Sequence, residues 1–286
     1  MVASQAQPLV VFSHGNGFPA STYRVLLGAL RSRGFAVEAL EQFGHDPRFP
    51  VTSNWTHLVD ELLAFVARVR ERDAQPAFLV GHSLGGLLSL MAAAREPSWA
   101  RGVVLLDSPI VGGWQAQVVR MAKKFAFAGR FSPGAVSQKR RFQWPSLDEV
   151  RQHFSSKRAF AAWDPEVLED YVVHGTVAAP QGGERRVLRF DRDIETAIYN
   201  SIPDHLPNYL RRHPLRCPVA LIAGRESREM RLADLTFTER VIRGRKTVLE
   251  GTHLFPMEKP RVCAAFVEAT LLSFDALNPR PARALP

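Results

Sequence analysis

The segment that most constrains the fold of this chain is PAFLVGHSLGGLLSLMAAAREP, residues 76–97. It begins with a short apolar run typical of a buried parallel strand and continues with helix formers until a proline stops them. Between the two, Ser83 stands among glycines in the pattern GHSLGG. Glycines there let the strand and helix backbones approach each other where a Cβ atom would clash. The segment therefore predicts a sharp strand-to-helix turn with a serine at its tip.

Two interpretations of Ser83 are open at this point. A Gly/Ser turn before a helix is common in α/β proteins, and there the serine only caps the helix. A strand before and a helix after G-x-S-x-G are also the context of a nucleophile elbow, in which the serine hydroxyl projects from the top of a sheet. Because both elements are present, we favour the nucleophile.

Hydrophobic runs alternate with helical patterns on both sides of this turn, which predicts successive βα units and a parallel sheet. Residues 110–216 carry instead basic, tryptophan-containing helical stretches and one small hairpin over ERRVLRFDRD. We expect an α/β core formed by residues 1–109 and 217–286, with a mainly helical insertion over 110–216. The predicted strands lie at residues 8–14, 35–40, 76–80, 101–109, 217–224 and 246–253.

Composition narrows the class of protein. The 286 residues, 46% of them hydrophobic, can bury a substantial core, which excludes a disordered chain. Cys217 and Cys263 are too few for a disulfide framework and lack metal-ligand spacing. We find neither a basic leader nor a run of roughly 18 apolar residues, and we expect a cytoplasmic protein without stable membrane insertion. The net charge of +9 favours anionic molecules only non-specifically.

A nucleophilic serine needs a base, and it needs N–H donors for the charge that develops on the substrate oxygen. His253 stands in GTHLFPMEKP, a short loop between the last predicted strand and the last helix, which is the place for the base. One donor is the backbone N–H of Leu84, directly after the serine. The other comes from the loop SHGNGF at residues 13–18, where we select Asn16, with Gly17 second.

The segments SHGNGF, GHSLGG and GTHLFPMEKP, in this order and at these intervals, resemble an α/β-hydrolase-fold serine hydrolase from about residue 8 to 275. The resemblance implies a mostly parallel eight-stranded sheet flanked by helices, with the insertion as a cap, or lid, after the sixth strand. It implies no metal and no organic cofactor. It also implies a catalytic triad and an acyl-enzyme intermediate, formed when Ser83 attacks a carbonyl and His253 accepts its proton.

The acid of that triad is where this sequence departs from the family. Many relatives carry an aspartate three residues after the glycine that ends the seventh strand, and Ser227 stands there in GRES. Asp107 ends the sixth strand, where some members place the acid, and we favour it because that strand should neighbour the elbow strand. Glu226 and Glu229 stay as alternative acids, and a turn-forming role stays open for Asp107.

Fold alone does not identify the substrate in this family. Dehalogenases and epoxide hydrolases of this fold carry an aspartate at the elbow, so Ser83 argues against both. The leading hypothesis is a carboxylesterase-like hydrolase of a small or medium acyl ester. An acyl-CoA thioesterase and a carbon–carbon bond hydrolase are enzymatic alternatives, and a ligand receptor or scaffold is the non-enzymatic one. The expected partner is a small-molecule acyl ester and not a nucleic acid, and homodimer formation is left open.

Large aromatic residues are too numerous in the insertion for an exposed linker. We expect most of them to pack together and onto the core, and a minority to line an acyl pocket above Ser83. We expect the basic run KRRF at residues 139–142 to be a solvated face. The aromatic residues are Trp114, Phe125, Phe127, Phe131, Trp144, Phe154, Phe160 and Trp163.

Overall fold

The computed structural model describes residues 7–112, 135–180 and 182–277. Its strands are β1 (Leu9–Ser13), β2 (Ala36–Ala39), β3 (Ala77–His82), β4 (Ala100–Leu106), β5 (Gln143–Trp144), β6 (Thr176–Ala178), β7 (Arg186–Leu188), β8 (Val219–Gly224) and β9 (Lys246–Leu249). Six of them form a sheet in the order β2-β1-β3-β4-β8-β9. All neighbours in this sheet pair in parallel, so their carboxyl ends meet at one edge.

Helices cover both faces of this sheet. They are α1 (Arg24–Ser32), α2 (Thr56–Arg72), α3 (Leu84–Arg95), α4 (Ala135–Lys139), α5 (Leu147–Ser155), α6 (Pro165–His174), α7 (Arg192–Asn200), α8 (Leu206–Arg212), α9 (Arg228–Leu232), α10 (Thr236–Ile242), α11 (Phe255–Glu258) and α12 (Pro260–Leu277). Short 3₁₀ helices lie at Ala20–Tyr23, Ser53–Trp55, Pro97–Trp99 and Arg158–Phe160. Among the described residues, none of the helices combines the length and apolar character that crossing a bilayer requires.

The two cores follow from the alternation of side chains along each strand. In β1, Leu9 and Val11 belong to the core that contains residues of α2 and α3. Val10 and Phe12 belong to the opposite core, which contains residues of α1 and α12. Because both faces of every central strand are covered, the strands read as continuous apolar runs, which is the pattern that the sequence showed.

The prediction of an α/β-hydrolase fold is confirmed, and each of the six predicted strand segments overlaps one strand of the parallel sheet, although β3 runs on to His82 and β4 begins at Ala100. The expected strand number is wrong for the described chain, where the sheet has six strands and not eight. The number eight came from the resemblance, whereas the apolar runs themselves indicated six.

The segment between β4 and β8 is mixed rather than purely helical. It contains α4 to α8 and a small antiparallel sheet in the order β5-β7-β6. The pairing of β6 with β7 joins residues 176–178 to 186–188. The observed hairpin therefore begins before the run ERRVLRFDRD, in which the sequence predicted it. Side chains of this segment enter both cores, including Phe154 on one face and Ile198 on the other. The division into core and cap domains stays a prediction.

The aromatic residues of the segment pack largely as expected. Phe154, Phe160 and Trp163 form a cluster of ring contacts with Tyr171, and Trp144 contacts Phe154. None of the four described aromatic residues from the list lines the cavity at Ser83, and the expectation that a minority of the eight does so stays a prediction. Trp114, Phe125, Phe127 and Phe131 lie outside the described residues.

The basic run at residues 139–142 is not uniformly solvated, contrary to expectation. Arg140 Nη1 lies 2.7 Å from Glu195 Oε2, and Arg140 Nη2 donates to the hydroxyl of Tyr171 at 2.5 Å. The carboxylate of Glu195 is buried and the guanidinium of Arg140 is largely covered. A buried carboxylate requires a partner of opposite charge, which explains why this arginine turns inward.

Candidate active site

Ser83 occupies the tip of the predicted turn, between the last residue of β3 and the first residue of α3. Its backbone has φ 53° and ψ −114°, a sparsely populated conformation for a residue with a side chain. Backbone hydrogen bonds hold it there. The N–H of Ser83 donates to Leu106 O at 3.0 Å, and the carbonyl of Ser83 accepts from Gly86 N at 3.1 Å. The strand-to-helix turn is therefore confirmed, with the serine in a strained position at the carboxyl edge.

The glycines of GHSLGG are needed for close backbone contact. A Cβ atom at Gly81 would overlap the backbone of Gly85, and a Cβ atom at Gly85 would overlap the backbone of Ser13. Backbone atoms cannot move aside as a flexible side chain can, so both positions exclude larger residues. The strand β3, the helix α3 and the end of β1 therefore meet at this turn, as the sequence pattern predicted.

His253 and Asp107 lie together at the same edge of the sheet. His253 follows β9 in a short loop, and its Nδ1 donates to Asp107 Oδ2 at 2.7 Å. Asp107 directly follows β4 and has no exposed surface, whereas the ring of His253 is one-fifth exposed. With Nδ1 engaged by the carboxylate, the neutral ring leaves Nε2 as its proton acceptor.

Both oxygens of Asp107 accept hydrogen bonds from the end of β8 and the loop that follows it. Oδ1 accepts from Gly224 N at 2.7 Å, and Oδ2 accepts from the hydroxyl of Ser227 at 2.5 Å. Ser227 is fully buried and also caps α9 by accepting from Met230 N. The sequence marked Ser227 only as the place of a missing acid, and it gave no signal that the hydroxyl binds the acid on the neighbouring strand.

The two alternative acids lie farther from the imidazole or outside the buried part of the site. Glu229 Oε2 is 3.8 Å from His253 Nδ1, and its side chain is about half exposed. Glu226 is exposed and lines the same cavity. Of the three candidate acids, Asp107 is the one in hydrogen-bond contact with His253. Asp107, Glu229 and His253 also lie close enough together to be compared with a metal site, but the Nδ1 of His253 already donates to Asp107.

The loop SHGNGF lies beside Ser83, as predicted. Asn16 is buried, and its side-chain amide donates to the backbone carbonyl of Glu195 at 3.0 Å, which ties the loop to α7. Gly17 has φ 80°, a conformation that favours glycine, and the carboxylate of Glu195 occupies the space of its absent side chain. In the part of the chain that the structure describes, the N–H groups of Asn16 and Leu84 donate to no protein acceptor.

A cavity of about 490 Å³ opens above Ser83 and His253. Its apolar wall is formed by Phe18 and Leu254 from the loops of the core and by Ala159 and Ala162 from the segment between β4 and β8. Charged side chains of both signs stand around them, and burial raises the pKa of the lining Tyr199 to about 12, so its hydroxyl stays protonated. The other lining groups are Gly15, Asn16, His82, Arg158, Glu226, Arg228, Glu229, Thr252 and Glu258.

A parallel sheet, a strained serine turn and an Asp–His pair at the carboxyl edge together define an α/β-hydrolase type of architecture. Residues 10–266 match the Alpha/beta hydrolase family, which covers most of the chain. The chain therefore belongs to the alpha/beta hydrolase family.

Individual relatives share shorter segments. Monoglyceride lipase from Rattus norvegicus is 34% identical over 107 residues, which are 36% of this chain and 35% of the lipase. The matched segment thus spans about a third of that relative's length. The abhydrolase domain-containing protein AFT2-1 from Alternaria alternata is 22% identical over 231 residues, covering 68% of this chain and 82% of that protein.

Solved structures match over nearly the whole chain. E-2-(acetamidomethylene)succinate hydrolase superposes with a TM-score of 0.69 at 21% identity, covering 92% of this chain and 91% of that one. The esterase Rv0045c of M. tuberculosis superposes with a TM-score of 0.65 at 22% identity, covering 93% and 86%. At these identities the likeness establishes the shared fold.

Proposed function

We propose that this chain is a serine hydrolase that cleaves a carboxylic ester of a small or medium acyl substrate. The observation that carries the proposal is that His253, bound through Nδ1 to the buried Asp107, lines the same cavity as Ser83. Family membership agrees with a hydrolase. In this proposal Ser83 is the nucleophile, His253 the general base and Asp107 the acid that orients the base.

In the acylation step, Ser83 Oγ attacks the carbonyl carbon of the ester while His253 Nε2 takes the hydroxyl proton. The hydrogen bond to Asp107 holds the imidazole in the required tautomer and stabilises the imidazolium that forms. The N–H groups of Asn16 and Leu84 are the oxyanion-hole donors, because neither donates to an acceptor within residues 7–112, 135–180 and 182–277. Collapse of the tetrahedral intermediate breaks the bond to the alcohol, which receives the proton from Nε2.

The second half of the reaction releases the acid. A water molecule takes the place of the alcohol and loses a proton to His253 Nε2 as its oxygen attacks the acyl carbon. The new tetrahedral intermediate expels Ser83 Oγ, which regains the proton from the imidazolium. The products are a carboxylic acid and the free enzyme, so atoms and charges balance over the two steps.

The cavity supports an acyl group of modest size. Its volume of about 490 Å³ lies in the range of small-molecule sites. Phe18, Leu254 and two alanines give the acyl chain an apolar surface, and Tyr199 offers a polar hydroxyl. The segment between β4 and β8 contributes the alanines and Tyr199, which supports its role as a lid over Ser83.

A fluorophosphonate probe followed by intact-mass measurement tests the nucleophile. We expect one adduct on the wild type, no adduct on Ser83→Ala, and normal labelling of Ser273→Ala, in which an exposed serine of α12 is removed. A folded wild-type protein that stays unlabelled would contradict the proposal and favour a ligand receptor.

The bond that is cleaved is tested with p-nitrophenyl esters of increasing chain length and with acyl-CoA thioesters. We expect the highest kcat/KM on short and medium esters. A preference for the thioesters would keep the nucleophile and overturn the ester assignment.

A further inference from the structure

A chain of three hydrogen bonds, two of them buried and the third partly buried, crosses the base of the candidate site. Gly15 N donates to the hydroxyl of Tyr23 at 3.0 Å, that hydroxyl lies 2.7 Å from His82 Nδ1, and His82 Nε2 lies 2.9 Å from the carbonyl oxygen of His253. Tyr23 and His82 are each about 1% exposed. We call these contacts the Tyr23–His82 chain. None of the steps written for ester hydrolysis uses either side chain.

The direction of every hydrogen bond in the chain is determined. A carbonyl oxygen only accepts, so His82 Nε2 must carry the hydrogen that points to His253 O. Burial lowers the pKa of His82 to about 3, so near neutral pH the ring is neutral and its Nδ1 accepts. Burial raises the pKa of Tyr23, so its hydroxyl keeps its hydrogen and donates it to Nδ1 while accepting from Gly15 N. Each donor therefore has one acceptor.

The chain joins three segments that are distant in sequence. Gly15 directly precedes Asn16, the proposed oxyanion donor, and His82 directly precedes Ser83. The far end of the chain is the carbonyl of His253, the residue whose ring is the proposed base. Gly15 packs closely against His82, because a Cβ atom at position 15 would lie only 2.9 Å from His82 Nδ1.

We propose that Tyr23 and His82 are positioning residues that hold the oxyanion loop and the loop of His253 at a defined separation around Ser83. This inference rests on the proposed serine hydrolase. Neither side chain makes or breaks a bond in the proposed steps, so both act through Asn16 and His253, and the ring of His82 also lies beside the ring of His253 with centroids 5.0 Å apart. Because misplacement of a catalytic group by about 1 Å can lower a rate roughly 100-fold, the chain should affect turnover more than substrate binding.

Tyr23→Phe removes the central hydroxyl without changing the ring. We expect kcat to fall roughly 10-fold to 100-fold with KM changed less than about twofold. The rate is expressed per site that reacts with the fluorophosphonate, so a smaller folded fraction does not imitate the effect. Tyr209→Phe is the matched control, because its hydroxyl donates to Met91 O in the opposite core, and it should keep the wild-type rate.

His82 gives a second test that does not depend on Tyr23→Phe folding. His82→Gln keeps a donor for the carbonyl of His253, whereas His82→Leu keeps none, so the glutamine variant should turn over faster. Because the chain acts as a unit, Tyr23→Phe combined with His82→Leu should be no slower than the slower single variant.

The outcomes separate the two proposals. A folded wild type that does not react with the fluorophosphonate contradicts the serine hydrolase itself. A reactive wild type with a per-site kcat that is unchanged in Tyr23→Phe, or equal in the two His82 variants, overturns the positioning role. If the free-energy cost to kcat in the double variant equals the sum of the costs in the two single variants, the two residues act independently, and the proposal that they act as one unit is overturned.

Discussion

Exchanging the residues at positions 107 and 227 tests which strand end supplies the acid. Ser227 Oγ and His253 Nδ1 contact the same oxygen of Asp107, at 2.5 and 2.7 Å. An aspartate at position 227 would extend about one bond farther than the present hydroxyl, into the space that the Asp107 carboxylate now occupies. The exchange Asp107→Ser with Ser227→Asp therefore keeps one carboxylate and one hydroxyl next to the imidazole.

The single substitutions should fail for different reasons. Asp107→Ser removes the acid that orients His253, and loss of that acid typically lowers kcat about 10⁴-fold. Ser227→Asp alone puts two carboxylates in a buried site where both cannot ionise, and we expect it to lower the free energy of unfolding by roughly 3 kcal/mol. The double variant relieves both defects, so its kcat should recover to within about 100-fold of the wild type.

The assay is steady-state hydrolysis of a p-nitrophenyl ester, normalised to the sites that react with fluorophosphonate, with urea unfolding as the measure of stability. Glu229→Gln and Glu226→Gln are the matched controls, and both should retain most activity, because Glu226 is exposed and Glu229 Oε2 lies 3.8 Å from His253 Nδ1, beyond hydrogen-bond distance. A double variant no faster than Asp107→Ser would refute the reasoning that a carboxylate at either strand end can serve. Loss of activity in Glu229→Gln with retention in Asp107→Asn would move the acid to the loop after β8.

Two further predictions concern buried charges away from Ser83. Burial raises the pKa of Glu61 to about 7. The stability that its protonated carboxyl contributes is therefore present below about pH 4.5 and is lost as the pH rises through 7. In urea unfolding, the free energy of unfolding of Glu61→Gln should rise relative to that of the wild type by up to about 3 kcal/mol between pH 4.5 and 8. Arg140→Met leaves the buried carboxylate of Glu195 unpaired and should lower the free energy of unfolding by roughly 3–5 kcal/mol. Adding Glu195→Gln to this variant should restore part of the loss. If it restores none, the broken ion pair is not the cause of the loss.

The central sheet could be predicted from the sequence because its strands are covered on both faces. Such strands are short, continuously apolar runs, as the inner strands show, whereas the edge strands β2 and β9 are partly exposed and mix apolar with polar residues. The carboxyl ends of parallel strands meet at one edge, and that rule was enough to expect Ser83, Asp107 and His253 near one another. The structure brings Asp107 and His253 into contact and places Ser83 on the same cavity.

The contacts that support these residues could not be predicted. Ser227 and Asp107 are 120 residues apart, and Tyr23 and His82 are 59 apart, so no local pattern joins them. The lining of the cavity was also missed, because the described large aromatic residues between β4 and β8 fill the space among themselves. The small residues Ala159 and Ala162 face the cavity instead. A single sequence shows which residues are apolar, but it does not show which of them pack against each other and which of them face a cavity.

The position of the proposed acid follows from the pairing of β4 with β8. Asp107 has φ 48°, which is strained for a residue with a side chain. Two hydrogen bonds to β8 hold it there, because its N–H donates to Ile222 O at 2.8 Å and its Oδ1 accepts from Gly224 N at 2.7 Å. The carboxylate is thus placed by the sheet itself and not by a surface loop. The loop after β8 has only to supply the hydroxyl of Ser227, which explains how a serine at the usual place of the acid is compatible with a complete Asp–His pair.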